Sequence, residues 1–367
     1  MPPKKFLTRR PRKAQTSPET VAAKRRAAAK KIAPPNSMTL LEACAVGATT
    51  SIGYRRHAKG FTLFCDCHKL DWRTPERLDK ILVVHLNVLF LDGASRSEAS
   101  QVVAGIRHFS PTLTSRGGSE LPRVHRALQG WSKLAPSAQR LPIPRCLALA
   151  IAGLMIIHNQ PAMAVFVMVS YVCYLRPSEC MRLVGKSLVP PVQAQGPNFR
   201  FWGIVVHDAD LGVAGKTGIT DESVLIDMDD WLLPALQALR ETRPLEAPLW
   251  TFSLDEVREM FARAVKRLDA GGVQAHLYGL RHGGASHDLL TRRRTLLEVK
   301  FRGRWSSDTS LKRYAKATRL QKEMEKLPQH CVALGNATER NFARMITARA
   351  RGLPLPVAVP ARLVAPL

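Results

Sequence analysis

The spacing of apolar residues predicts helices over the first third of the chain. Between Thr39 and Leu134, apolar side chains recur three and four residues apart, which is the period of one helix face. One helix is expected to begin near Ser95, where Glu98 stands at the position of a capping box, and another to run from Pro122 to Leu134. We therefore expect a small all-helical domain of roughly four or five helices.

A second domain is predicted to begin after a proline-rich, basic stretch at residues 135–145. The apolar run 147–175 follows, and the polar segment 158–161 divides it into two pieces. Each piece is shorter than the roughly 20 residues that cross a membrane, so the run predicts two buried helices. Residues 199–207 and 224–227 then have strand character and flank a glycine-rich turn.

Helices are predicted again after the strands. They are expected at residues 232–240, 254–269, 282–290 and 295–301, from Ser310 onward, and at 339–351. The whole pattern predicts a mainly α fold with a small antiparallel β-sheet. Composition divides the chain into a basic disordered arm at 1–37, a helical domain at 38–137, a second domain at 138–325, and a basic helix with a flexible tail at 326–367.

The charge of the chain indicates the chemistry of its partner. There are 55 Lys plus Arg against 29 Asp plus Glu, a formal net charge of +26 at pH 7. Such an excess favours a polyanion, with nucleic acid ahead of an anionic membrane surface. The arm at residues 1–37 fits a DNA-backbone contact or a nuclear import signal, and a purely solubilising role fits it equally well.

Cysteine usage and the N-terminus indicate the compartment. The seven cysteines are odd in number and scattered, which is typical of reduced thiols in an intracellular protein. Residues 65–68, Cys-Asp-Cys-His, are half of a metal-site pattern without a second half at a standard spacing, so we predict no metal. The charged N-terminus lacks the apolar core of a signal peptide, so we expect a nuclear protein, or a cytoplasmic one in a prokaryote, and not a secreted one.

The segment from Tyr278 to Tyr314 carries the clearest candidate chemistry. Metal-free cleavage of a phosphodiester requires a nucleophile, positive charge on the non-bridging oxygens and an acid for the leaving oxygen. Tyr314 is a candidate nucleophile among the cations Lys312, Arg313 and Lys316. A lone tyrosine on a helix more often packs in a core, so Tyr314 by itself does not establish a catalytic site.

Three cations upstream of Tyr314 supply the other candidates. Arg281 leads into His282 and two glycines, which predicts a helix start that a phosphate can approach closely. Arg176 stands three residues before Glu179, and a purely structural ion pair is its alternative role. Lys216 is predicted at the tip of the glycine-rich turn, where an ammonium can reach a leaving 5′ oxygen, although most lysines in turns are only solvated.

Together these motifs resemble those of the tyrosine recombinase family, the phage-integrase type. The family's L-R-x-x-E appears as residues 175–179, its hairpin lysine as Lys216, and its H-x-x-R-H box as residues 278–282. The His or Trp that precedes the family's nucleophile by nine residues is matched by Trp305 and Tyr314. Order, spacing and local context agree at Arg176, Lys216, Arg281, Trp305 and Tyr314, and that combination is specific.

The resemblance implies a fold, a reaction and partners. It implies a helical core-binding domain followed by a mixed α/β catalytic domain, in a site-specific recombinase or integrase of the kind found in mobile elements. Cleavage would proceed through a 3′-phosphotyrosyl link, with no ATP, metal or other cofactor. The implied partner is double-stranded DNA, held by a homo-tetramer on two duplexes, with no membrane and no small-molecule substrate.

The resemblance also assigns roles to individual residues. Tyr314 attacks the scissile phosphate, Arg176 and Arg281 stabilise the phosphorane, and Lys216 protonates the leaving 5′ oxygen. Trp305 and Tyr278 complete the hydrogen bonding. The implied supporting and DNA-contacting residues are Glu179, His282, Lys312, Arg313 and Lys316.

One position departs from the family's pattern. Tyr278 stands where the family usually has His, and a phenol with a pKa near about 10 is a poor base that still donates a hydrogen bond. His276, two residues earlier, replaces it only if the loop follows another path. Two alternatives therefore stay open: a recombinase-derived DNA-binding protein that no longer cuts, and a type IB topoisomerase with the same chemistry.

Overall fold

The computed structural model describes residues 38–111, 121–136, 141–207, 222–307 and 317–364. Over these residues the chain is mainly α-helical with a small antiparallel sheet, which confirms the predicted fold class. The chain divides into two compact units, residues 1–138 and 139–367. The predicted basic arm at residues 1–37 lies outside the described residues.

Helices form the whole of the first unit within its described residues. They are α1 (Leu40–Ala43), α2 (Ala48–Cys67), α3 (Pro75–Leu91), α4 (Arg96–Phe109) and α5 (Pro122–Leu134). Helix α2 packs on α4 and α3 packs on α5, around buried side chains that include Phe61, Leu82 and Trp131. The start of α4 is as predicted, because the Ser95 hydroxyl accepts a hydrogen bond from the Glu98 N–H at 3.2 Å.

A carboxylate of α3 caps the N-terminus of α5. Leu121, which precedes α5, has a left-handed φ of 44° and an apolar side chain that accepts no hydrogen bond. The buried Asp79 instead accepts hydrogen bonds from the N–H groups of Arg123 at 3.1 Å and Val124 at 3.0 Å. Because such N–H groups have no acceptor within their own helix, this contact joins α3 to α5.

The second unit contains the sheet and the remaining helices. The helices are α6 (Arg145–Ile157), α7 (Pro161–Val172), α8 (Pro177–Met181), α9 (Leu233–Thr242), α10 (Leu254–Arg267), α11 (Leu277–Leu290), α12 (Leu296–Gly303), α13 (Ala317–Glu325), α14 (Gln329–Ala350) and α15 (Ala361–Val364). Helix α6 contacts α7, α10, α11 and α14, and residues 147–157 are all buried. The prediction of two buried helices in the apolar run is confirmed. Among the described helices, none is both long enough and apolar enough to cross a membrane.

In the described part of the second unit, three strands pair into one antiparallel sheet. They are β1 (Leu188–Val189), β2 (Trp202–His207) and β3 (Glu222–Ile226), with β2 in the middle. Leu188 pairs with Ile204, which also pairs with Val224, and all three side chains are buried. Strand β1 was not predicted, because two residues are too few to show the alternation of a strand. Strand β2 begins later than predicted, since a 3₁₀ turn occupies residues 197–199.

Helix α11 begins at Leu277 and not at His282, so the predicted helix start was wrong. The imidazole of His276 caps this helix, because its Nδ1 accepts the Gly279 N–H at 2.9 Å. Arg281 therefore lies inside the helix, one turn beyond its beginning. The glycines that follow had indicated a helix start, but their role is in packing.

The two glycines after His282 allow α11 to approach both α7 and the segment before α6 closely. A Cβ on Gly284 would overlap the carbonyl oxygen of Tyr171, and one on Gly283 would overlap the carbonyl oxygen of Ile143. Only glycine leaves room for backbone at this distance. This close approach brings the middle of α11, which carries Arg281, next to the end of α7.

The end of the chain also differs from the expected flexible tail. Leu363 is fully buried, and Leu355, Val357 and Val359 pack against the same core. The His158 ring makes a hydrogen bond with the Leu363 carbonyl oxygen at 2.9 Å. Prolines had indicated disorder here, but apolar residues at every second position place one side of an extended segment against a core.

Substitution of Gly284 by alanine tests the close approach of α11 to α7. The added methyl group overlaps backbone, so we expect the free energy of unfolding of the full chain to fall by about 2 kcal/mol or more. Gly271→Ala is the control, because no atom lies within 4 Å of its Cβ position, and its effect should stay within about 0.5 kcal/mol. Equal urea midpoints for the two variants would contradict this packing.

Candidate active site

The candidate residues that the structure describes lie at the start of α8, in the first half of α11 and just after α12, all in the second unit. Arg176 is the N-cap of α8, and Glu179 lies in that short helix. Tyr278 and Arg281 lie one turn apart on α11, and Trp305 follows the end of α12. Ion pairs and ring contacts bring these five residues into one cluster, which also includes Arg304 and Glu222.

Glu179 is the buried carboxylate that joins the cluster. One of its oxygens accepts a hydrogen bond from the Arg176 guanidinium, and the other accepts from the Arg176 backbone N–H at 2.8 Å. This second oxygen also accepts from Arg304 Nη2 at 2.7 Å and lies 3.7 Å from Arg281 Nη1. The Arg176–Glu179 ion pair that the spacing indicated as an alternative is therefore present, within a larger group of arginines.

The environment of Glu179 keeps it ionised. Its side chain is only 2% exposed, and burial by itself raises the pKa of a carboxyl group. The opposite effect of the Arg304 charge, the Arg176 backbone N–H and the charges of Arg176 and Arg281 is larger, so the pKa of Glu179 is lowered. A buried carboxylate with several cationic donors is stable only as a network.

Arg281 is held by backbone carbonyls and by an aromatic ring. Its guanidinium donates to the carbonyl oxygen of Tyr174 at 2.5 Å and to that of Gly303. It also lies over the Trp305 ring, 4.7 Å from the ring centroid. Burial, with the nearby charges of Arg304 and Arg176, lowers the pKa of Arg281 to about 10, so the group stays protonated at neutral pH.

Arg176 is more accessible than Arg281. Its side chain is 21% exposed, whereas that of Arg281 is 1% exposed. Burial alone lowers the pKa of Arg176, but the charge and hydrogen bond of Glu179, with smaller contributions from the charge and hydrogen bond of Tyr278, raise it. Arg176 is thus the guanidinium of the pair that solvent or a ligand reaches more readily.

Tyr278 belongs to the cluster because it interacts with Arg176. The half-buried phenol interacts with Arg176, and its ring lies 5.2 Å from the ring of His282 one turn along α11. His276 caps the helix through its Nδ1. The side chain that contacts Arg176 is therefore that of Tyr278, whereas His276 has a structural role.

Trp305 packs between aromatic and backbone groups. Its ring is stacked at 6.3 Å on that of Tyr174, and a Cβ on Gly303 would overlap the indole. Glycine before the turn is therefore required to bring the indole against Arg281. The left-handed turn at Arg304, with φ of 54°, directs the chain from α12 back to this position.

Two further carboxylates hold the sheet against the helices behind the cluster. Asp288 accepts hydrogen bonds from the Tyr174 hydroxyl and from Arg294 Nε, the latter at 3.1 Å. Arg294 also forms a bidentate pair with Asp227, which follows β3. Arg302 donates to the carbonyl oxygens of Val172 and Leu225 at 3.1 and 2.6 Å. This network keeps α7, α11, α12 and β3 in register around the cluster.

Arg304 is the residue of the cluster that sequence reasoning missed. It matched no motif, and nothing in the local sequence separates it from the other arginines after Thr291. The one local signal of an unusual role was that Arg304, and not a glycine, stands just after the end of α12, where glycine is the usual residue. Its contacts become evident only when α8 and α12 are brought together.

The predicted nucleophile and the predicted acid are not in the described part of the chain. Tyr314 and the neighbouring Lys312, Arg313 and Lys316 lie within residues 308–316, and Lys216 lies within 208–221, outside the described residues. Their placement stays a prediction. Glu222, six residues after Lys216, has a carboxylate oxygen 3.3 Å from Arg304 Nε.

The cluster is suited to binding an anion. Among its described members, the three guanidinium groups of Arg176, Arg281 and Arg304 face the two carboxylates of Glu179 and Glu222, so one positive charge remains in excess. Planar guanidinium groups that are already oriented bind phosphate oxygens well. In the described ranges, no three His, Cys, Asp or Glu side chains stand together as ligands for a metal ion.

Among the comparisons with known proteins, only the search of solved structures finds matches, and the one described here is a distant likeness. No family model matches the sequence, and no curated protein matches it. Among solved structures, the chain is similar to one described as the crystal structure of XerA recombinase, at 15% sequence identity and a TM-score of 0.33. The match covers 76% of this chain and 91% of that one. A likeness this weak indicates nothing about the function of the chain.

Proposed function

We propose that this protein cleaves and rejoins double-stranded DNA as a site-specific recombinase, through a 3′-phosphotyrosyl link to Tyr314. The proposal rests on one observation: Arg176 and Arg281 both lie against the buried Glu179 carboxylate, and the Trp305 ring packs against the Arg281 guanidinium. The two arginines come from positions more than a hundred residues apart in the chain. Preoriented positive charge of this kind stabilises a crowded, negatively charged phosphorane.

The proposed reaction proceeds in two balanced steps. The Tyr314 oxygen attacks phosphorus, its proton passes to solvent, and the bond from phosphorus to the 5′ oxygen breaks. Lys216 donates a proton to that 5′ oxygen, which leaves as a hydroxyl. In the second step a 5′ hydroxyl gives its proton to Lys216 and attacks the phosphotyrosyl phosphorus, the bond from phosphorus to the Tyr314 oxygen breaks, and that oxygen takes a proton from solvent. The phosphodiester energy stays in the protein link, so the reaction needs no ATP.

The charge of the chain supports duplex DNA as the partner. A net charge of +26 favours phosphate contacts, which weaken steeply as salt rises because condensed counterions are released on binding. Exchange between two sites requires two duplexes, and a homo-tetramer is the assembly proposed for it. A nuclear location, or a cytoplasmic one in a prokaryote, follows from the same function.

Tyr278 favours a second candidate, a DNA-binding protein that no longer cuts. Its phenol interacts with Arg176 in the position where the family usually has an imidazole. A neutral phenol does not accept the nucleophile's proton at neutral pH. Such a protein would keep the arginine cluster as a phosphate-binding site and would form no covalent link.

Replacement of Tyr314 by phenylalanine tests the nucleophile. The substrate is a nicked suicide duplex whose site is selected by binding from a randomised duplex pool. The wild-type chain should form a protein–DNA adduct that survives denaturation, and Tyr314→Phe should form none because it lacks the attacking oxygen. Tyr54→Phe, in the first unit, should form adduct as the wild type does. An adduct with Tyr314→Phe would show that another residue is the nucleophile.

Chelation tests the absence of a metal from the mechanism. Because arginines and a lysine supply all the charge in the proposed reaction, adduct formation in excess EDTA should equal that without it. The comparison is made at constant ionic strength, so that screening of phosphate contacts does not change. Loss of the adduct in EDTA, with recovery on adding Mg²⁺, would rule out this mechanism.

Substitution of Tyr278 by histidine tests the departure from the family's pattern. An imidazole with a pKa near about 6.5 accepts a proton where a phenol does not, so single-turnover adduct formation should hold or rise. The rate should also acquire a dependence on pH between about 6 and 7 that the wild type lacks. Tyr278→Phe is the control, because it removes only the hydroxyl that interacts with Arg176, and it should be slower. A loss of more than about tenfold in Tyr278→His would mean that Tyr278 has a different role.

A further inference from the structure

Arg304 occupies a backbone conformation that favours glycine. It follows the end of α12 with φ of 54° and ψ of 44°, in the left-handed region. An L residue with a Cβ is less stable there by about 1 kcal/mol than glycine, which is the usual residue at this point of a helix end. The glycine of this turn is instead Gly303, where a Cβ would overlap Trp305. Arginine at position 304 is therefore stable only if contacts of its side chain offset this free-energy cost.

The side chain of Arg304 faces carboxylates and not solvent. It is only 6% exposed, and its Nη2 donates to Glu179 at 2.7 Å while its Nε lies 3.3 Å from Glu222. Its Nη1 donates to the carbonyl oxygen of Arg302 at 3.2 Å. A guanidinium enclosed in this way does not contact DNA. Its effect has to pass through the groups that it holds.

Glu179 is the main group that Arg304 holds. The Glu179 oxygen that accepts from Arg304 at 2.7 Å lies 3.7 Å from Arg281, so Arg304 makes the closer contact. Without Arg304, the whole negative charge of Glu179 would fall on Arg176 and Arg281. These two guanidinium groups would then be more fully neutralised, and less of their charge would act on a bound phosphate.

We propose that Arg304 is a positioning residue that neutralises Glu179, and so leaves the charges of Arg176 and Arg281 available to the scissile phosphate. This role rests on the proposed function, since it concerns the same site. It assigns to Arg304 an effect on the reaction step and not on DNA affinity. It also predicts that the effect of Arg304 depends on the charge of Glu179.

Arg304→Gly separates this role from a structural one. Glycine suits the left-handed turn and offsets part of the stability lost with the Glu179 contact, so the variant should still fold, whereas single-turnover adduct formation at saturating duplex should fall by about tenfold or more. The Kd for the duplex should not change. Arg304→Lys should recover part of the rate because it restores a cation beside Glu179. Arg292→Gly is the matched control, since Arg292 is exposed and also left-handed, with φ of 55°, and its rate should equal that of the wild type.

A double variant tests the link to Glu179. In Glu179→Gln the negative charge is absent, so adding Arg304→Gly should cause no further loss of rate. Losses that multiply in the double variant would overturn the proposal. So would an Arg304→Gly chain that forms adduct at the wild-type rate, or an Arg304→Lys chain that is folded and no faster than Arg304→Gly.

Orthovanadate distinguishes failure of this proposal from failure of the proposed function. This tetrahedral anion takes the five-coordinate geometry of a phosphorane when it gains an oxygen ligand in a site, and its binding to the full chain, measured by calorimetry, requires no cleavage. Relative to the wild type, Arg304→Gly should bind vanadate about tenfold more weakly, and Arg292→Gly should bind it equally well.

Wild-type vanadate binding without an adduct on any duplex would overturn only the cleavage function. Equal vanadate binding by wild type and Arg304→Gly, or wild-type adduct formation that Arg304→Gly leaves unchanged, would overturn only the role of Arg304. A wild type with neither activity would overturn both.

Discussion

The ionised carboxylate of Glu179, buried among guanidinium groups, is the interaction on which the candidate site depends. A carboxylate removed from water is stable only where charged donors replace its hydration. Arg176, Arg281 and Arg304 are those donors, and they come from the start of α8, the middle of α11 and the end of α12. One side chain therefore determines the relative position of three elements. The same contacts leave the site with more positive than negative charge.

Close packing of backbone makes these ionic contacts possible. Helix α11 approaches α7 at Gly284 and the segment before α6 at Gly283, and at each glycine a Cβ would meet a carbonyl oxygen. Left-handed residues then end two of the helices abruptly, Tyr174 with φ of 49° and Arg304 with φ of 54°. The turns point the carbonyl oxygens of Tyr174 and Gly303 at the same guanidinium, that of Arg281. Arg281 is thus oriented by backbone, whose position is less variable than that of a side chain.

Periodicity and local spacing predicted the parts of this structure that depend on neighbouring residues. The two buried helices in the apolar run were predicted because a polar segment interrupts uniform hydrophobicity. The contact between Arg176 and Glu179 follows from a spacing of three residues at a helix start. The start of α11 was predicted wrongly, because the glycines after His282 fit a helix end or a close contact equally well. Their role depends on Tyr171 and Ile143, which are distant in sequence.

The sequence by itself determined the helical character of the chain, its excess of positive charge, and the residue types and order of the candidate active site. These properties depend on composition and on short-range pattern, which need no knowledge of the fold. The tertiary structure alone decided that Arg304 pairs with Glu179, that His276 caps a helix, and that the segment ending at Leu363 packs on the core. The first and the last of these contacts join buried groups that are far apart in the sequence. Packing and desolvation over the whole unit determine which of these groups come into contact, so a local sequence pattern does not predict the contacts.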